Sequence, residues 1–276
     1  MPALSVENVS FRFTQPVLRG VSADFEQGTF SGILGANGVG KSTLVKLISR
    51  WLPMQDGSIR IHNRPLEAFS QRELARHIAV VPQEHAHLTE LTVREIVELG
   101  RIPHQGLLAP PTAADQSAVD SALTQTGLLG LAERSFSTLS GGERQRVRVA
   151  MALAQAAEIL ILDEPTTHLD IRYQVELLTL LAELVTKGYT VIAVLHDINL
   201  AALFCDHLVL LADGRVLRAG PPAEVITRET IVDAYQCEAH VLLHPTVNVP
   251  QIALTRNGRY RADAQSEAAN SREGCV

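Results

Sequence analysis

Apolar side chains recur along this chain with two different periods. Residues 4–9 and 17–25 alternate between apolar and polar side chains, which is typical of antiparallel strands with one solvated face. Four shorter runs are mostly apolar, as strands buried on both faces of a parallel sheet are, and they occupy residues 31–34, 78–81, 159–162 and 190–195. Segments with a helical period separate these runs. The pattern predicts an α/β fold with a mainly parallel sheet and an N-terminal antiparallel β subdomain.

A long helical stretch interrupts this alternation. From residue 88 to residue 156 the period is helical and no strand is evident, and Thr92 and Glu95 have the spacing of a helix-capping box. We expect an all-helical subdomain of about residues 86–156, inserted into an α/β domain that covers residues 1–245. Residues 246–276 form a C-terminal extension. From about residue 261 it is small, polar and without period, which predicts a disordered tail.

Composition and charge exclude several classes of protein. The 276 residues are 46% hydrophobic and 20% charged, which are globular proportions. The formal net charge of −6 argues against nucleic acid as the main partner, because binding it requires concentrated positive charge. The longest apolar runs are about six residues, far short of the ~20 that span a membrane, and the N-terminus lacks the features of a signal peptide. The scattered Cys205, Cys237 and Cys275 suit a reducing compartment, so we expect a cytosolic chain.

A glycine-rich loop lies between the strand-like residues 31–34 and a helical run at residues 43–48. It has the pattern G-x-x-x-x-G-K-[ST], in which glycines let backbone N–H groups face an anion and the following helix adds its positive dipole end. Lys41 would reach the β- and γ-phosphates of a nucleotide, and the Ser42 hydroxyl would ligate Mg²⁺. The predicted nucleotide contacts are Gly35, Ala36, Asn37, Gly38, Val39, Gly40, Lys41, Ser42 and Thr43. The alternative is a glycine-rich turn that only caps a helix.

Two adjacent carboxylates, Asp163 and Glu164, follow the buried run at residues 159–162. They lie at the carboxyl edge of the predicted sheet, where α/β proteins bind ligands. Adjacent strand residues point in opposite directions, so the two acids can take different roles. Asp163 suits holding Mg²⁺, and Glu164 suits orienting or deprotonating an attacking water. The alternative is that both are loop or cap residues.

Further polar residues share that edge. Gln83 follows the strand at residues 78–81, and His196 follows the strand at residues 190–195. We favour a γ-phosphate contact for His196, whereas Gln83 alone would also fit a solvated loop. Asp170 precedes a predicted helix and fits an N-cap, and Phe13 fits either an edge aromatic or a platform for an adenine ring.

A second glycine-rich helix start lies at residues 139–143. Ser140 and Glu143 form a capping box, but the box does not explain Gly141 and Gly142, each of which costs a helix about 1 kcal/mol relative to alanine. Paired glycines suit something that approaches the backbone closely, and the exposed N–H groups favour an anion. The chain therefore carries two separate phosphate-type sites.

Cys237, His240 and His244 have a spacing that loosely resembles a metal site. We favour no metal here, because part of the set falls in a predicted strand and no fourth ligand is near.

Together these stretches resemble the ATP-binding-cassette (ABC) ATPases. Residues 35–42 match the Walker A motif, residues 139–143 the signature motif and residues 160–164 Walker B with its catalytic glutamate. Gln83 matches the Q-loop, residues 169–170 the D-loop and His196 the switch histidine. Phe13 falls where the family has an adenine-stacking aromatic, although tyrosine is more usual there. The resemblance covers roughly residues 3–245.

The resemblance implies a P-loop NTPase fold and a head-to-tail homodimer. Each ATP would lie between Walker A of one subunit and the signature helix of the other. Contacts to ATP across that interface would come from Ser140, Gly141, Gly142, Glu143 and Asp170. The implied catalytic residues are Glu164, His196, Gln83 and Lys41, and the implied Mg²⁺ ligands are Ser42, Gln83 and Asp163.

The implied partners are two permease subunits and, indirectly, a substrate-binding protein. The Q-loop and the helical subdomain would transmit ATP-driven motion to the permease through a groove near Gln83 and residues 84–110. The chain would be peripheral, on the cytoplasmic face of the inner membrane. Within the family it looks most like importer ATPases for iron–siderophore, haem and cobalamin uptake, through residues 99–104, 163–170, 194–201 and 220–225. A ferric siderophore is the first expectation and haem the second.

Two other classes compete with an importer. A soluble ABC ATPase that acts on ribosomes or DNA usually carries two cassettes, coiled-coil insertions or zinc modules, and this sequence shows none. An exporter ATPase often lacks the sequence motifs that this chain has at residues 163–170 and 195–197. ATPase stimulation by nucleic acid would favour the first alternative, and the direction of transport in vesicles would decide the second.

Overall fold

The computed structural model describes residues 1–83, 90–106 and 110–254. The strands of this part of the chain are β1 (Pro2–Arg12), β2 (Pro16–Glu26), β3 (Phe30–Gly35), β4 (Asp56–Ile61), β5 (Arg64–Pro65), β6 (Ile78–Val81), β7 (Ile159–Asp163), β8 (Thr190–Val194), β9 (His207–Ala212), β10 (Arg215–Gly220), β11 (Ala239–Leu243) and β12 (Pro250–Leu254). The α-helices are α1 (Lys41–Ile48), α2 (Gln71–His77), α3 (Val93–Leu99), α4 (Ala113–Gln125), α5 (Gly141–Ala154), α6 (Ile171–Thr186), α7 (Ile198–Phe204), α8 (Pro222–Val225) and α9 (Arg228–Tyr235).

The central sheet has the strand order β10-β9-β3-β8-β7-β6. Its strands run parallel except for the hairpin partner β10, which pairs antiparallel with β9. Every residue of β7 and β8 is buried, as expected for interior strands covered on both faces. The mainly parallel sheet predicted from the apolar runs is confirmed, and its carboxyl edge carries the loop after β3 and the acids after β7.

A second, antiparallel sheet has the order β2-β1-β4-β5 and confirms the predicted β subdomain. Side chains that alternate along β7 enter two different cores. Ile159 and Ile161 pack with α1 and the antiparallel sheet, whereas Leu160 and Leu162 pack with the helical segment and α6. This alternation places α1, and the loop that precedes it, between the two sheets.

The regular elements in the described residues between β6 and β7 are all helices, and one isolated bridge joins Thr92 to Ser135. Residues 86–89 and 107–109 of the predicted subdomain lie outside the described residues. A buried ion pair joins Arg101 Nε to Asp115 Oδ1 at 2.9 Å, and Arg101 also donates to the carbonyl of Ala154 at 2.7 Å. These bonds attach the loop after α3 to α4 and to the C-terminal end of α5.

The helical spacing of Ile171, Val175, Leu178, Leu181 and Val185 predicts that these side chains form the apolar face of α6, and this prediction is wrong in the first turns of the helix. Ile171 is 78% exposed and Val175 is 38% exposed, whereas Leu178 and Leu181 are buried as expected. The buried residues of α6 begin at Leu177, since a helical period identifies a face but not how much of that face other elements cover.

The C-terminal part of the described chain ends in a hairpin of β11 and β12. The pattern of residues 239–243 predicts a final strand, which is β11, whereas no strand is predicted at β12, which begins at a proline and lacks clean alternation. Asn199 of α7 bonds the backbone of Ile252 through both its side-chain oxygen and its nitrogen, at 2.7 and 3.2 Å. This pairing fixes the hairpin against α7.

Candidate nucleotide site

The loop between β3 and α1 adopts a backbone that requires glycine. Gly35, Gly38 and Gly40 have φ angles of 146°, 79° and 108°. A Cβ on Gly35 would lie 2.5 Å from the carbonyl oxygen of Leu211, and one on Gly40 would lie 2.5 Å from Leu18. Gly40 is also the N-cap of α1 and provides no side-chain hydrogen bond. The first turn of α1 therefore offers free N–H groups and the positive end of a helix dipole, which fits a phosphate group.

Lys41 places a buried ammonium group on this loop. The side chain is 5% exposed, and Nζ donates to the carbonyl oxygens of Gly35 at 2.8 Å and Ala36 at 3.0 Å. Burial lowers the pKa of Lys41, and the nearby charges of Glu164 and Asp163 oppose that shift. The neighbouring carbonyl oxygens and carboxylates favour the charged form of Lys41, and an ammonium group here can pair with phosphate oxygens.

Ser42 and Asp163 form an oxygen pair beside Lys41. Ser42 Oγ donates to Asp163 Oδ1 at 3.1 Å, and Asp163 is 6% exposed. Burial raises the pKa of the Asp163 carboxyl, and the charge of Glu164 adds to the rise while the Ser42 bond opposes it. A nearby cation would stabilise the charged form of this buried carboxylate, and Mg²⁺ prefers oxygen ligands such as hydroxyl and carboxylate groups.

Glu164 is held by the other residues of the carboxyl edge. Its Oε2 accepts a hydrogen bond of 2.6 Å from Gln83 Nε2, and its Oε1 lies 2.8 Å from His196 Nε2. Thr167 Oγ1 lies 3.4 Å from the same Oε2. Glu164 has a φ of 53°, a left-handed backbone conformation that costs about 1–3 kcal/mol in a non-glycine residue and concentrates at functional sites.

A cavity of about 520 Å³ collects these groups on one side of the loop. Its lining residues are Val17, Asn37, Gly38, Gly40, Lys41, Ser42, Thr43, Gln83, Glu164, Thr167 and His196. The structure thus brings together the loop and the three edge residues that the sequence assigned to one site. Val17 and Thr167 were not predicted. Thr167 lies three residues after Glu164, whereas the sequence carried no signal for Val17.

Other predicted contacts lie outside this cavity. Phe13 is 60% exposed and packs edge-on against Phe11 with ring centroids 4.9 Å apart. Phe13 is therefore an exposed edge aromatic with an accessible ring. Asp170 is the N-cap of α6, as one prediction held, and its Oδ1 accepts from the N–H of Tyr173 at 3.0 Å.

The second glycine-rich helix start is satisfied in part by its own side chains. Ser140 Oγ accepts from the N–H of Glu143 at 3.3 Å, and Glu143 Oε2 accepts from the N–H of Ser140 at 2.8 Å. The backbone bond to Ser140 lowers the pKa of Glu143. The predicted capping box is confirmed, and these residues do not line the cavity at the loop.

The structure corrects the argument from the paired glycines. A Cβ on Gly142 would lie 2.3 Å from Cδ1 of Tyr173, so the group that approaches this glycine is a tyrosine ring of the same chain. A Cβ on Gly141 would meet only Leu169, at 3.8 Å. The assignment of residues 140–143 to a nucleotide on another subunit stays a prediction, and the glycines alone no longer support it.

A smaller cavity of about 300 Å³ lies on another side of Glu164 and includes Gln145, Arg148 and His168. Burial, followed by repulsion from Arg144, lowers the pKa of Arg148 to about 10. Sequence reasoning did not single out Arg148, because nothing in its local pattern distinguishes it from a surface arginine of α5.

The described ranges contain neither a cluster placed to hold a metal ion nor a helix that could span a membrane. No group of three or more His, Cys, Asp or Glu side chains in this part of the chain is placed to hold a metal ion, and this includes Cys237, His240 and His244. None of the helices in the described residues is long and apolar enough to cross a membrane.

Comparison with known proteins connects this geometry to a family. A family model described as ABC transporter matches residues 18–167. The ferric enterobactin transport ATP-binding protein FepC of Escherichia coli K12 is 39% identical over 86% of this chain and 88% of its own length. The hemin import ATP-binding protein HmuV of Streptomyces coelicolor is 41% identical over 84% of this chain and 82% of its own length.

Solved structures agree. A chain of a transporter assigned to the metal-chelate type of ABC transporters, in an inward-facing conformation, superposes with a TM-score of 0.81 and 27% identity, over 93% of this chain and 98% of that one. The dimeric structure of a bacterial ABC transporter cassette gives a TM-score of 0.69 and 29% identity, over 79% of this chain and 98% of that one.

Proposed function

The chain belongs to the ABC transporter family, and from that premise we propose that it is the ATP-binding and ATP-hydrolysing subunit of an importer that energises uptake of a ferric siderophore. The observation that carries the ATPase assignment is the cavity of about 520 Å³ that unites the phosphate loop with Gln83, Glu164 and His196. This cavity combines backbone N–H groups that can bind phosphates, the buried ammonium of Lys41 and the carboxylate of Glu164, which hydrogen bonds hold in place.

The loop and Lys41 bind the triphosphate in this proposal. Lys41 exchanges its bonds to the carbonyls of Gly35 and Ala36 for phosphate oxygens, which are stronger charge-assisted partners. Ser42 and Asp163, 3.1 Å apart, fit an Mg²⁺ ion, and Gln83 lines the same cavity. When bound, the ion would neutralise charge on the β- and γ-phosphate oxygens.

Glu164 orients the attacking water, and Gln83 and His196 control its position. Both carboxylate oxygens of Glu164 already have partners, so the side chain is directed into the cavity before any water is engaged. A base held at a fixed position needs little reorganisation at the moment of reaction. His196, which is 38% exposed, can also contact the γ-phosphate.

We place the second half of each ATP site on another copy of the chain. The Ser140 helix start does not line the loop cavity of its own chain, and a related cassette is dimeric. A head-to-tail dimer brings the exposed side of Gly141 toward a partner's nucleotide, where the dipole of α5 favours phosphate charge. Phe13, whose ring is accessible, remains the proposed adenine platform.

The proposed partners are two permease subunits on the cytoplasmic face of the inner membrane and, through them, a substrate-binding protein. Part of the expected permease groove, namely residues 84–89 and 107–109, lies outside the described residues. The described part joins the helical segment to the core, since Arg72 of α2 donates to the carbonyl of Pro103 at 2.9 Å.

The transported ligand is proposed from the relatives. FepC is by name a ferric enterobactin transport protein, whereas HmuV, at 41% identity, favours haem as the second candidate. The test is a deletion of this chain in its own cell, with uptake of ⁵⁵Fe-siderophore, haem and cobalamin measured separately. Loss of siderophore uptake, restored by the wild-type chain but not by Glu164→Gln, supports the proposal. Loss of haem uptake alone would make haem, and not a siderophore, the transported ligand. Unchanged uptake of all three would contradict an import function.

A further inference from the structure

The ring of Tyr173, in the first turn of α6, lies directly on Gly142, in the first turn of α5. A Cβ built on Gly142 would lie 2.3, 2.6 and 2.9 Å from Cδ1, Cγ and Cε1 of this ring, distances that no real Cβ tolerates. The neighbouring Gly141 has room for a side chain. The contact therefore fixes how closely the two helix starts approach, and it is the reason why residue 142 has no side chain.

Tyr173 also belongs to the segment that leads back to Glu164. Its N–H donates to Asp170 at 3.0 Å, and the N–H of Leu169 donates to the carbonyl of Thr166 at 3.3 Å. The N–H of Thr167 donates to the carbonyl of Glu164 at 3.3 Å. Short-range hydrogen bonds thus order the backbone between Glu164 and Tyr173, whose ring contacts Gly142.

The far end of α5 is attached as well. Arg101 donates to the carbonyl of Ala154, and Gln155, which caps α5, donates to the carbonyl of Ile78 at the start of β6 at 2.8 Å. β6 leads directly to Gln83. A helix that is attached to the start of β6 at one end and contacts Tyr173 at the other has a defined direction relative to the sheet.

We propose that Tyr173 is a positioning residue for the N-terminus of α5. It acts through Gly142 and holds the start of the helix at a fixed height relative to Glu164 of the same chain. The inference rests on the proposed function, because its consequence arises when this helix start meets ATP on a second subunit. A displaced helix start weakens the closed dimer and slows hydrolysis, while the loop of the same chain binds nucleotide as before.

The test compares Tyr173→Ala and Tyr173→Phe in the full chain. Tyr173→Ala should lower kcat for ATP hydrolysis about tenfold, with the Kd of a fluorescent ATP analogue for the monomer within about twofold of wild type. Hydrogen exchange at the amides of residues 141–144 should speed up. Tyr173→Phe should restore both, because ring carbons make the contact. If Tyr173→Ala does not fold, Tyr173→Leu replaces it, since leucine keeps apolar volume without a planar ring.

Val185→Ala is the matched control. Val185 is partly buried in the same core near the other end of α6, about 18 Å from Tyr173 along the helix axis. This variant should lose stability without a tenfold loss of kcat. A wild-type kcat in Tyr173→Ala, a failed rescue by phenylalanine, or an equal loss in Val185→Ala would each overturn the positioning role. A wild-type chain without ATPase activity would instead contradict the proposed function, and the exchange measurement would still decide the contact.

Discussion

Two helices of this chain begin at glycines, and the structure gives different reasons for them. Before α1, Gly35, Gly38 and Gly40 have positive φ angles, and Gly40 gives the helix no side-chain cap. Before α5, Ser140 caps the helix and residue 143 completes the box. The first turn of α1 has no side-chain acceptor for its backbone N–H groups, whereas the first turn of α5 has one for the N–H of residue 143.

A glycine at a helix start can therefore be required for different structural reasons. In the phosphate loop the backbone itself requires glycine, which points to a ligand. At Gly142 a neighbouring ring requires it, which points to packing. Neither constraint applies to Gly141, because its φ is not positive and a Cβ built on it would meet only Leu169, at 3.8 Å.

The largest expected effect comes from Glu164→Gln. Loss of a positioned general base lowers rates by about 10²–10⁴-fold, whereas the amide keeps the shape of the site and removes a negative charge near the phosphates. ATP should therefore still bind, and a dimer should accumulate. Phosphate release and light scattering measure the two effects. A variant that stays monomeric with saturating ATP would contradict the role of the second helix start.

A pair of variants separates the two helix starts. Lys41→Ala removes charge-assisted hydrogen bonds of about 1.5–3 kcal/mol, so ATP affinity of the monomer should fall about 10–100-fold. Gly141→Asp should leave that affinity unchanged and abolish ATP-dependent association, because its carboxylate would face the partner's phosphates. Gly141→Ala is the control, since a Cβ fits there. Equal loss of monomer affinity in both variants would remove the distinction between the two starts.

The packing explanation of Gly142 predicts a change of sign. In the wild-type background Gly142→Ala should destabilise the chain by about 1–3 kcal/mol, because its Cβ overlaps the Tyr173 ring. In the Tyr173→Ala background the same change should stabilise it by up to about 1 kcal/mol, the ordinary gain of alanine over glycine in a helix. Urea unfolding of the four chains measures this. The same sign in both backgrounds would mean that the ring is not the constraint.

The smallest effect concerns the attachment at the far end of α5. Bonds from Thr112 first, and then from Arg101, lower the pKa of Asp115 to about 2, below its ordinary value of 3.8. The folded state therefore binds this proton less readily than the unfolded state, so the stability that Asp115 contributes is complete above about pH 4 and is lost toward pH 2. The slope of unfolding free energy against pH in this window should flatten in Asp115→Asn. An unchanged slope would show that other carboxyls determine it.

Sequence reasoning reached the site because parallel strands end at one edge. Gln83, Glu164 and His196 each follow a buried apolar run, so their meeting follows from the topology. The contact between Gly142 and Tyr173 depends on how two helices pack, and no local pattern encodes it. The exposure of Ile171 and the pairing of β12 with β11 also depend on tertiary neighbours, so the prediction for Ile171 was wrong and β12 was not predicted.

The most direct measurement mixes two variants that each fail to associate. Lys41→Ala and Gly141→Asp are prepared separately in the Glu164→Gln background and combined with ATP. In a head-to-tail mixed dimer both changes fall in one site, and the other site keeps an intact loop and an intact helix start. A site shared between two subunits should therefore give ATP-dependent dimers in the mixture and in neither variant alone. A mixture that stays monomeric, although both variants are folded and Gly141→Asp binds ATP, would contradict a site shared between two subunits.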